Sequence, residues 1–295
     1  MNKYILKQSL KTKTLNFFRT FLMRPSMENI IFRQINKHNG NTIWTRFVPP
    51  NYLYPKESMR QVTRNNIRYI LDISNVVDHF IYFGFTERVY DPVEKDIKQA
   101  KVVFDIGANI GTTAMYFSSI NSTAEIYAFE PHPKTYQRAE DNLKSNSFKN
   151  ISLIKLGFGN KPDQVKLYEV NSNNPGMNRI IPDNNEFPFV VIEIDTMDNF
   201  VQRQGIQKVD FIKIDVEGFE FNVLSGAMRT LREHLPVLFI ELDDNNLRDN
   251  NSSAKELVGL LFSCGYANFF RADTNTRITA ETDFTSCHYD IIVRK

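Results

Sequence analysis

From Lys101 onward the chain repeats one unit, a short β-branched or aromatic run followed by a turn and a helical stretch. The apolar runs fall at 101–106, 125–129, 151–155, 209–214 and 236–241, with helical stretches near 111–119, 133–145, 219–232 and 253–263. Runs that are apolar on both faces belong inside a sheet covered by helices. The pattern therefore predicts an α/β fold, a Rossmann-like, mostly parallel, doubly wound sheet. Segments 164–170 and 189–194 read as an extra strand pair joined by the Asn/Pro/Gly-rich loop 171–188, and 266–270 with 288–293 as an antiparallel C-terminal end to the sheet.

Before Lys101 this rhythm is missing. A basic, helix-compatible segment (1–37) leads to a strand-like run at 66–72 and a helix-like run at 75–83, which predicts an N-terminal accessory subdomain over 1–91 and a main domain over 92–295. Residues 1–40 carry eight Lys or Arg against one Glu, a charge of +7, so in a chain of net +2 the other 255 residues sum to −5. The small overall charge gives no general attraction to DNA. In the leader the basic residues interleave with Tyr4, Ile5, Leu6, Leu10, Leu15, Phe17, Phe18, Phe21 and Leu22, a composition suited to an amphipathic helix. Docking on the protein's own body is the first expectation for it; contact with an anionic membrane surface or with RNA are the others. Arg19 interrupts the best apolar stretch near the start, and no run reaches the roughly 20 apolar residues of a spanning helix. The expectation is a cytoplasmic protein, at most peripheral to a membrane. Cys264 and Cys287 lack zinc spacing and are too few for a disulfide framework, so reduced thiols are expected.

The most specific stretch is Val102-Val103-Phe104-Asp105-Ile106-Gly107-Ala108-Asn109-Ile110-Gly111, a buried strand running into a glycine-punctuated turn and then a helix. Glycines at such a turn let the backbone come within contact distance of a ligand at the carboxyl edge of the sheet. A dinucleotide fingerprint would place glycine where Asn109 stands, which weakens the case for a pyrophosphate. Asp105, just before the turn, would repel phosphate but can pair with a cationic amino-acid moiety. Glu130 closes the next strand, Glu125-Ile126-Tyr127-Ala128-Phe129-Glu130-Pro131, where an acid can bind both ribose hydroxyls. A nucleoside with a sulfonium, an ammonium and no phosphate fits both carboxylates, and S-adenosyl-L-methionine is that molecule.

These residues resemble the FkbM-type S-adenosylmethionine-dependent methyltransferases. The resemblance runs through Asp105-Ile106-Gly107-Ala108-Asn109-Ile110-Gly111, Phe129-Glu130-Pro131 and Asp195-Thr196-Met197-Asp198. It continues through Lys213-Ile214-Asp215-Val216-Glu217-Gly218, its most family-specific block, to Pro236-Val237-Leu238-Phe239-Ile240-Glu241. It implies a class I methyltransferase fold, with Asp105, Gly107, Ala108, Asn109, Gly111, Glu130 and Pro131 at the cofactor. It further implies an O-methyltransferase acting on a hydroxyl of a sugar, glycoconjugate or natural product. His132, where a small polar residue often follows the Glu-Pro, is expected to be a neutral substitution or an edge contact to adenosine.

A hydroxyl is a poor nucleophile until its proton is removed or its oxygen polarised, which asks for a general base or a metal. Asp215 follows the fourth strand of the repeat and is the expected acceptor-facing carboxylate, with Glu217 and Glu241 next. Alternatively, Asp215 and Glu241 share a Mg²⁺, since hard cations take carboxylate oxygens. Glu220 is expected to start a helix, and His79, His234 and His288 to be structural. The loop Asn171-Ser172-Asn173-Asn174-Pro175-Gly176-Met177-Asn178 offers amides and hydroxyls to a sugar. An amino-base methylase would carry an Asn/Asp-Pro-Pro-aromatic turn where this chain has Asp215-Val216-Glu217-Gly218, so that class is set aside. Two alternatives stay open at this point: a non-catalytic cofactor-binding assembly protein, and a methyltransferase on a non-sugar acceptor.

Overall fold

The structure is a computed structural model that describes residues 9–37, 42–84, 89–171, 174–181, 187–279 and 281–295. Tyr4, Ile5 and Leu6 of the leader and Ser172 and Asn173 of the amide-rich loop lie outside the described residues. The chain divides into two compact units, Met1–Glu87 and Arg88–Lys295. Among the described residues no helix is long and apolar enough to cross a membrane.

The first unit holds helices Leu10–Thr20, Pro25–Lys37 and Val76–Phe83 and an antiparallel hairpin of β1 (Met59–Arg64) and β2 (Ile67–Asp72). Strand β1 was not foreseen because its sequence, Met-Arg-Gln-Val-Thr-Arg, is mostly polar and it is half-buried. This unit is organised around a buried acid. Glu28 is fully buried and takes a bidentate contact from Arg60 (2.9 and 3.0 Å) and a hydrogen bond from Tyr82 Oη (2.9 Å). A buried carboxylate persists only when paired in this way.

The second unit contains β3 (Val102–Ile106), β4 (Glu125–Phe129), β5 (Ile151–Ile154), β6 (Gly157–Phe158), β7 (Asp163–Tyr168), β8 (Phe189–Asp195), β9 (Phe211–Ile214), β10 (Val237–Asp243), β11 (Asn268–Arg271) and β12 (His288–Arg294). Seven of them form one sheet in the order β11-β12-β10-β9-β3-β4-β5, in which β12 runs antiparallel to the other six. This is the Rossmann-like, mostly parallel sheet with the antiparallel end that the sequence predicts. The chain builds outward from β3 through β4 to β5 and then returns to the other side at β9. The carboxyl ends of β3 and β9 therefore flank the switch point where ligands bind in such sheets. Side-chain alternation along each strand feeds two cores. Phe104, Ile106, Ile212 and Ile214 pack on one face, and Val103, Phe211 and Phe239 on the other, under helix Thr112–Ile120.

Strands β7 and β8 pair antiparallel as expected, and β6 adds a parallel partner to make a separate three-stranded sheet. The helix expected over 219–232 is two, Glu220–Ser225 and Met228–His234. The break at Gly226 has a packing cause: a Cβ there would lie 2.0 Å from the Gly159 carbonyl oxygen. The second of the two helices is started by Asp198, whose carboxylate accepts from Arg229 N (2.9 Å), Thr230 N (2.8 Å) and Thr230 Oγ1 (2.7 Å). Both cysteines are free and buried.

Candidate active site

Strand β3 ends in a turn with three left-handed residues, Gly107 (φ 77°), Asn109 (φ 50°) and Gly111 (φ 81°). Gly107 has a second constraint, because a Cβ there would sit 1.9 Å from the backbone oxygen of Asp215 at the end of the neighbouring strand. At Gly111 an added Cβ would meet only Ala139 at an ordinary 3.6 Å, so the backbone angle alone selects glycine. The turn is held to the end of β4: Gly107 N and Ala108 N both donate to Phe129 O (3.1 and 2.9 Å). Glu130 completes the clamp, accepting from Asn109 N on Oε2 (3.0 Å) and from His132 N on Oε1 (2.9 Å). Burial pushes Glu130 up to about 7, and those two donors oppose it.

A cavity opens beside this clamp. Ile106, Phe129, Leu156 and Phe158 give it an apolar wall, and Gly107, Asn109, Pro131, Glu130, Asp215 and Glu217 also line it. Gly176 and Asn178 bring the described part of the amide-rich loop to the same cavity. Ala108 and Gly111 shape the turn without lining the cavity.

Asp105 is placed otherwise than the sequence suggested. It is fully buried, does not line the cavity, and the cation it faces belongs to the protein: Lys213 Nζ lies 3.4 Å from Asp105 Oδ1. The reason is register. Asp105 of β3 pairs with Lys213 of β9, and residues directly across a parallel sheet point to the same side. Period-two alternation sends both to the face of Val103 and Phe239, under helix Thr112–Ile120, while Ile106 reaches the cavity. Lys213 also donates to Gly107 O (2.9 Å) and lies 3.3 Å from Asp215 Oδ2. Burial works against its ammonium, but Asp215 and Asp105 together outweigh that and hold its pKa above the ordinary lysine value. Burial likewise lifts Asp105 above the usual carboxylate range against the pull of Lys213.

The acids at the ends of β9 and β10 converge. One carboxylate oxygen from each of Asp215, Glu217 and Glu241 lies within 4.8 Å of the other two. Burial, then the charge of Asp215, raises Glu217 to about 8 and Glu241 to about 10. Glu241 Oε2 is buried without a hydrogen-bond partner. Asp290, in register with Glu241 on β12, is raised by the same two causes to about 6. Glu220 sits below the cluster's turn as a helix-start acid, its Oε1 accepting from Val216 N and Gly218 N (both 3.1 Å). Glu217 takes a left-handed backbone (φ 54°), and Arg179 secures the turn, donating to Glu217 O (3.1 Å) and pairing with Asp249 (2.9 Å).

His132 does not line the cavity. Its Nδ1 accepts from Thr135 N (3.4 Å) at the start of helix Pro133–Lys144 and its Nε2 lies 3.2 Å from Glu169, while burial lowers its pKa. It caps the helix. His79, His234 and His288 are each hydrogen-bonded structurally, to Pro49 O, Val209 N and Asp243. Lys213, Arg179 and Asp290 were missed in the sequence. For Lys213 the signal was present, a lysine inside the otherwise apolar Phe211-Ile212-Lys213-Ile214 run, whereas Arg179 and Asp290 meet the site only through chain folding.

The family model described as the methyltransferase FkbM domain matches residues 105–267. Among curated relatives, the chain is 22% identical over 178 residues to 2-O-methyltransferase NoeI of Sinorhizobium fredii, covering 56% of this chain and 72% of that protein. It is 25% identical over 138 residues to the hexuronic acid methyltransferase AglP of Haloferax volcanii, covering 47% of this chain and 54% of that one. Among solved structures, methyltransferase FkbM from Methylobacillus flagellatus is 18% identical with a TM-score of 0.45, over 74% of this chain and 52% of that chain. The chain thus spans about half the length of the latter two.

Proposed function

Because this chain belongs to the FkbM methyltransferase domain family of S-adenosylmethionine-dependent enzymes, we propose that it methylates a hydroxyl oxygen of a sugar, glycoconjugate or natural product. The observation that carries the reading is the juxtaposition of two chemistries in one cavity. Glu130 stands beside an apolar wall suited to adenosine, and Asp215 and Glu217 line the same space. S-adenosylmethionine supplies the methyl group from its sulfonium and leaves as S-adenosylhomocysteine.

The protein's residues then have distinct parts. Glu130, held by Asn109 N and His132 N, keeps a lone pair on each oxygen for the ribose hydroxyls. Gly107 and Asn109 form the cavity floor, with Ala108 and Gly111 fixing the turn and Pro131 closing its edge. Asp105 acts through Lys213, which steadies the turn by its bond to Gly107 O and orients Asp215. Asp215 accepts the hydroxyl proton as the oxygen bonds to the methyl carbon, and the electron pair of the breaking C–S bond stays on sulfur. Positioning the three atoms in line supplies much of the acceleration. Gly176 and Asn178, which line the same cavity, meet the acceptor in this reading. The NoeI and AglP names, a 2-O-methyltransferase and a hexuronic acid methyltransferase, support a sugar hydroxyl. The same reading has the protein in the cytoplasm.

The acid cluster also supports a metal-assisted version. Asp215, Glu217 and Glu241 bring three hard oxygen donors within 4.8 Å of one another, and the partnerless Glu241 Oε2 fits a ligand role. A bound Mg²⁺ would polarise the acceptor hydroxyl. The test is methyl transfer from labelled S-adenosylmethionine to glycan and small-molecule extracts. Asp215→Asn should abolish turnover and leave S-adenosylhomocysteine affinity within about threefold. Retained turnover in that variant would overturn the assignment of Asp215, and full activity after exhaustive EDTA treatment would remove the metal version.

A further inference from the structure

The first helix leaves its aromatic side chains in water. Helix Leu10–Thr20 buries Asn16, whose side chain meets Tyr52 Oη (3.1 Å) and Arg19 (3.0 Å), and Arg19 in turn donates to Arg46 O (2.6 Å). Asn16 and Arg19 therefore tie the helix to the protein, with Thr12 and Leu15 half-buried on the same side. At about 3.6 residues per turn, Leu10, Phe17 and the C-cap residue Phe21 fall on one stripe with Phe18 beside it. That stripe is in water: Leu10 is 82% exposed, Phe17 and Phe18 61%, and Phe21 59%. The described part of the leader does dock on the protein's own body, through Asn16 and Arg19, but it leaves these four apolar residues exposed. The three rings form a cluster, with centroids 5.7 Å apart for Phe17 and Phe18 and 5.4 Å for Phe17 and Phe21. Lys11 and Lys13 are exposed beside them and Arg24 follows.

We propose that this stripe docks the chain on an anionic bilayer surface, with Leu10, Phe17, Phe18 and Phe21 entering the headgroup boundary and Lys11, Lys13 and Arg24 meeting lipid phosphates. The proposal goes beyond methyl transfer and stands without it. Contiguous exposed aromatic surface marks an interaction site, and charge decides the occupant. The first forty residues carry +7, which complements anionic lipid. A second copy seated on the same stripe would bring lysines against lysines. Single-stranded RNA would need rings free to stack on bases, whereas these rings pack edge-to-face on one another.

The test is co-sedimentation of the full chain with phosphatidylcholine vesicles and with vesicles that also contain phosphatidylglycerol. Binding is expected on the anionic vesicles and should fall with added salt. The triple variant Phe17→Ser, Phe18→Ser, Phe21→Ser should bind at least about tenfold more weakly. Lys11→Glu with Lys13→Glu, which leaves the rings in place, should also weaken binding by about tenfold or more. Unchanged circular dichroism is expected for both, since all five side chains are exposed. Equal binding by wild type and both variants, or no binding to anionic vesicles, would overturn the proposal. So would self-association that the ring variant abolishes, or RNA binding that vesicles fail to displace.

Discussion

Lys213 Nζ stands 3.4 Å from Asp105 Oδ1 and 3.3 Å from Asp215 Oδ2, so one buried ammonium links the strand that carries the glycine turn to the cavity's acidic rim. Its bond to Gly107 O makes it a brace for the turn as well. Breaking a buried pair by removing one partner leaves an uncompensated charge and costs about 3–5 kcal/mol. Lys213→Met is therefore expected to lower unfolding free energy by about that amount, and the double variant with Asp105→Asn to recover much of the loss. Urea denaturation of the single and double variants measures it; additive losses would refute the coupling.

Glu130 gives the cofactor prediction. Glu130→Gln keeps the size but sets an amide N–H against Asn109 N or His132 N, and it removes a charged acceptor worth about 1.5–3 kcal/mol. S-adenosylhomocysteine affinity should drop about tenfold to a hundredfold by calorimetry. Affinity equal to that of wild type would remove Glu130 from the site.

The two turn glycines should differ. Both have positive φ, but only Gly107 faces a backbone atom at 1.9 Å. Gly111→Ala is expected to cost about 1–2 kcal/mol from the left-handed backbone, and Gly107→Ala on the order of 2 kcal/mol more for the forced shift of Asp215. Equal melting temperatures for the two variants would contradict this geometry.

The acid cluster predicts a pH dependence. Folded-state values near 8 for Glu217 and near 10 for Glu241 lie above the unfolded carboxylate value of about 4.3. The folded protein therefore binds more protons than the unfolded chain between those limits, and stability falls as pH rises through them. Melting temperature should decline from about pH 6 to about pH 9, and Glu241→Gln should flatten the decline. Parallel curves for wild type and variant would show that Glu241 does not carry the effect.

Much of the main domain could be read locally. The five central strands, the antiparallel end, the glycine turn and the acids at strand tips each follow from a run of a few residues whose apolar pattern and punctuation are self-contained. Polar or short elements escaped, including β1, the two-residue β6, and helix Asp244–Asp249. Asp105 is the instructive case: its position at a strand end was legible, but its direction was not.

Which side a strand-end carboxylate faces depends on the register of β3 against β9, strands more than a hundred residues apart in the chain, and that pairing sets Asp105 beside Lys213. In the first helix, bonds from Asn16 to Tyr52 and from Arg19 to Arg46 set which side meets protein and leave Phe17, Phe18 and Phe21 in solvent, which no local pattern specifies. Periodicity and turn chemistry act over a few residues and so survive in a linear reading. Partners of buried charges arise from contacts between distant segments, which come into being only when the sheet has formed.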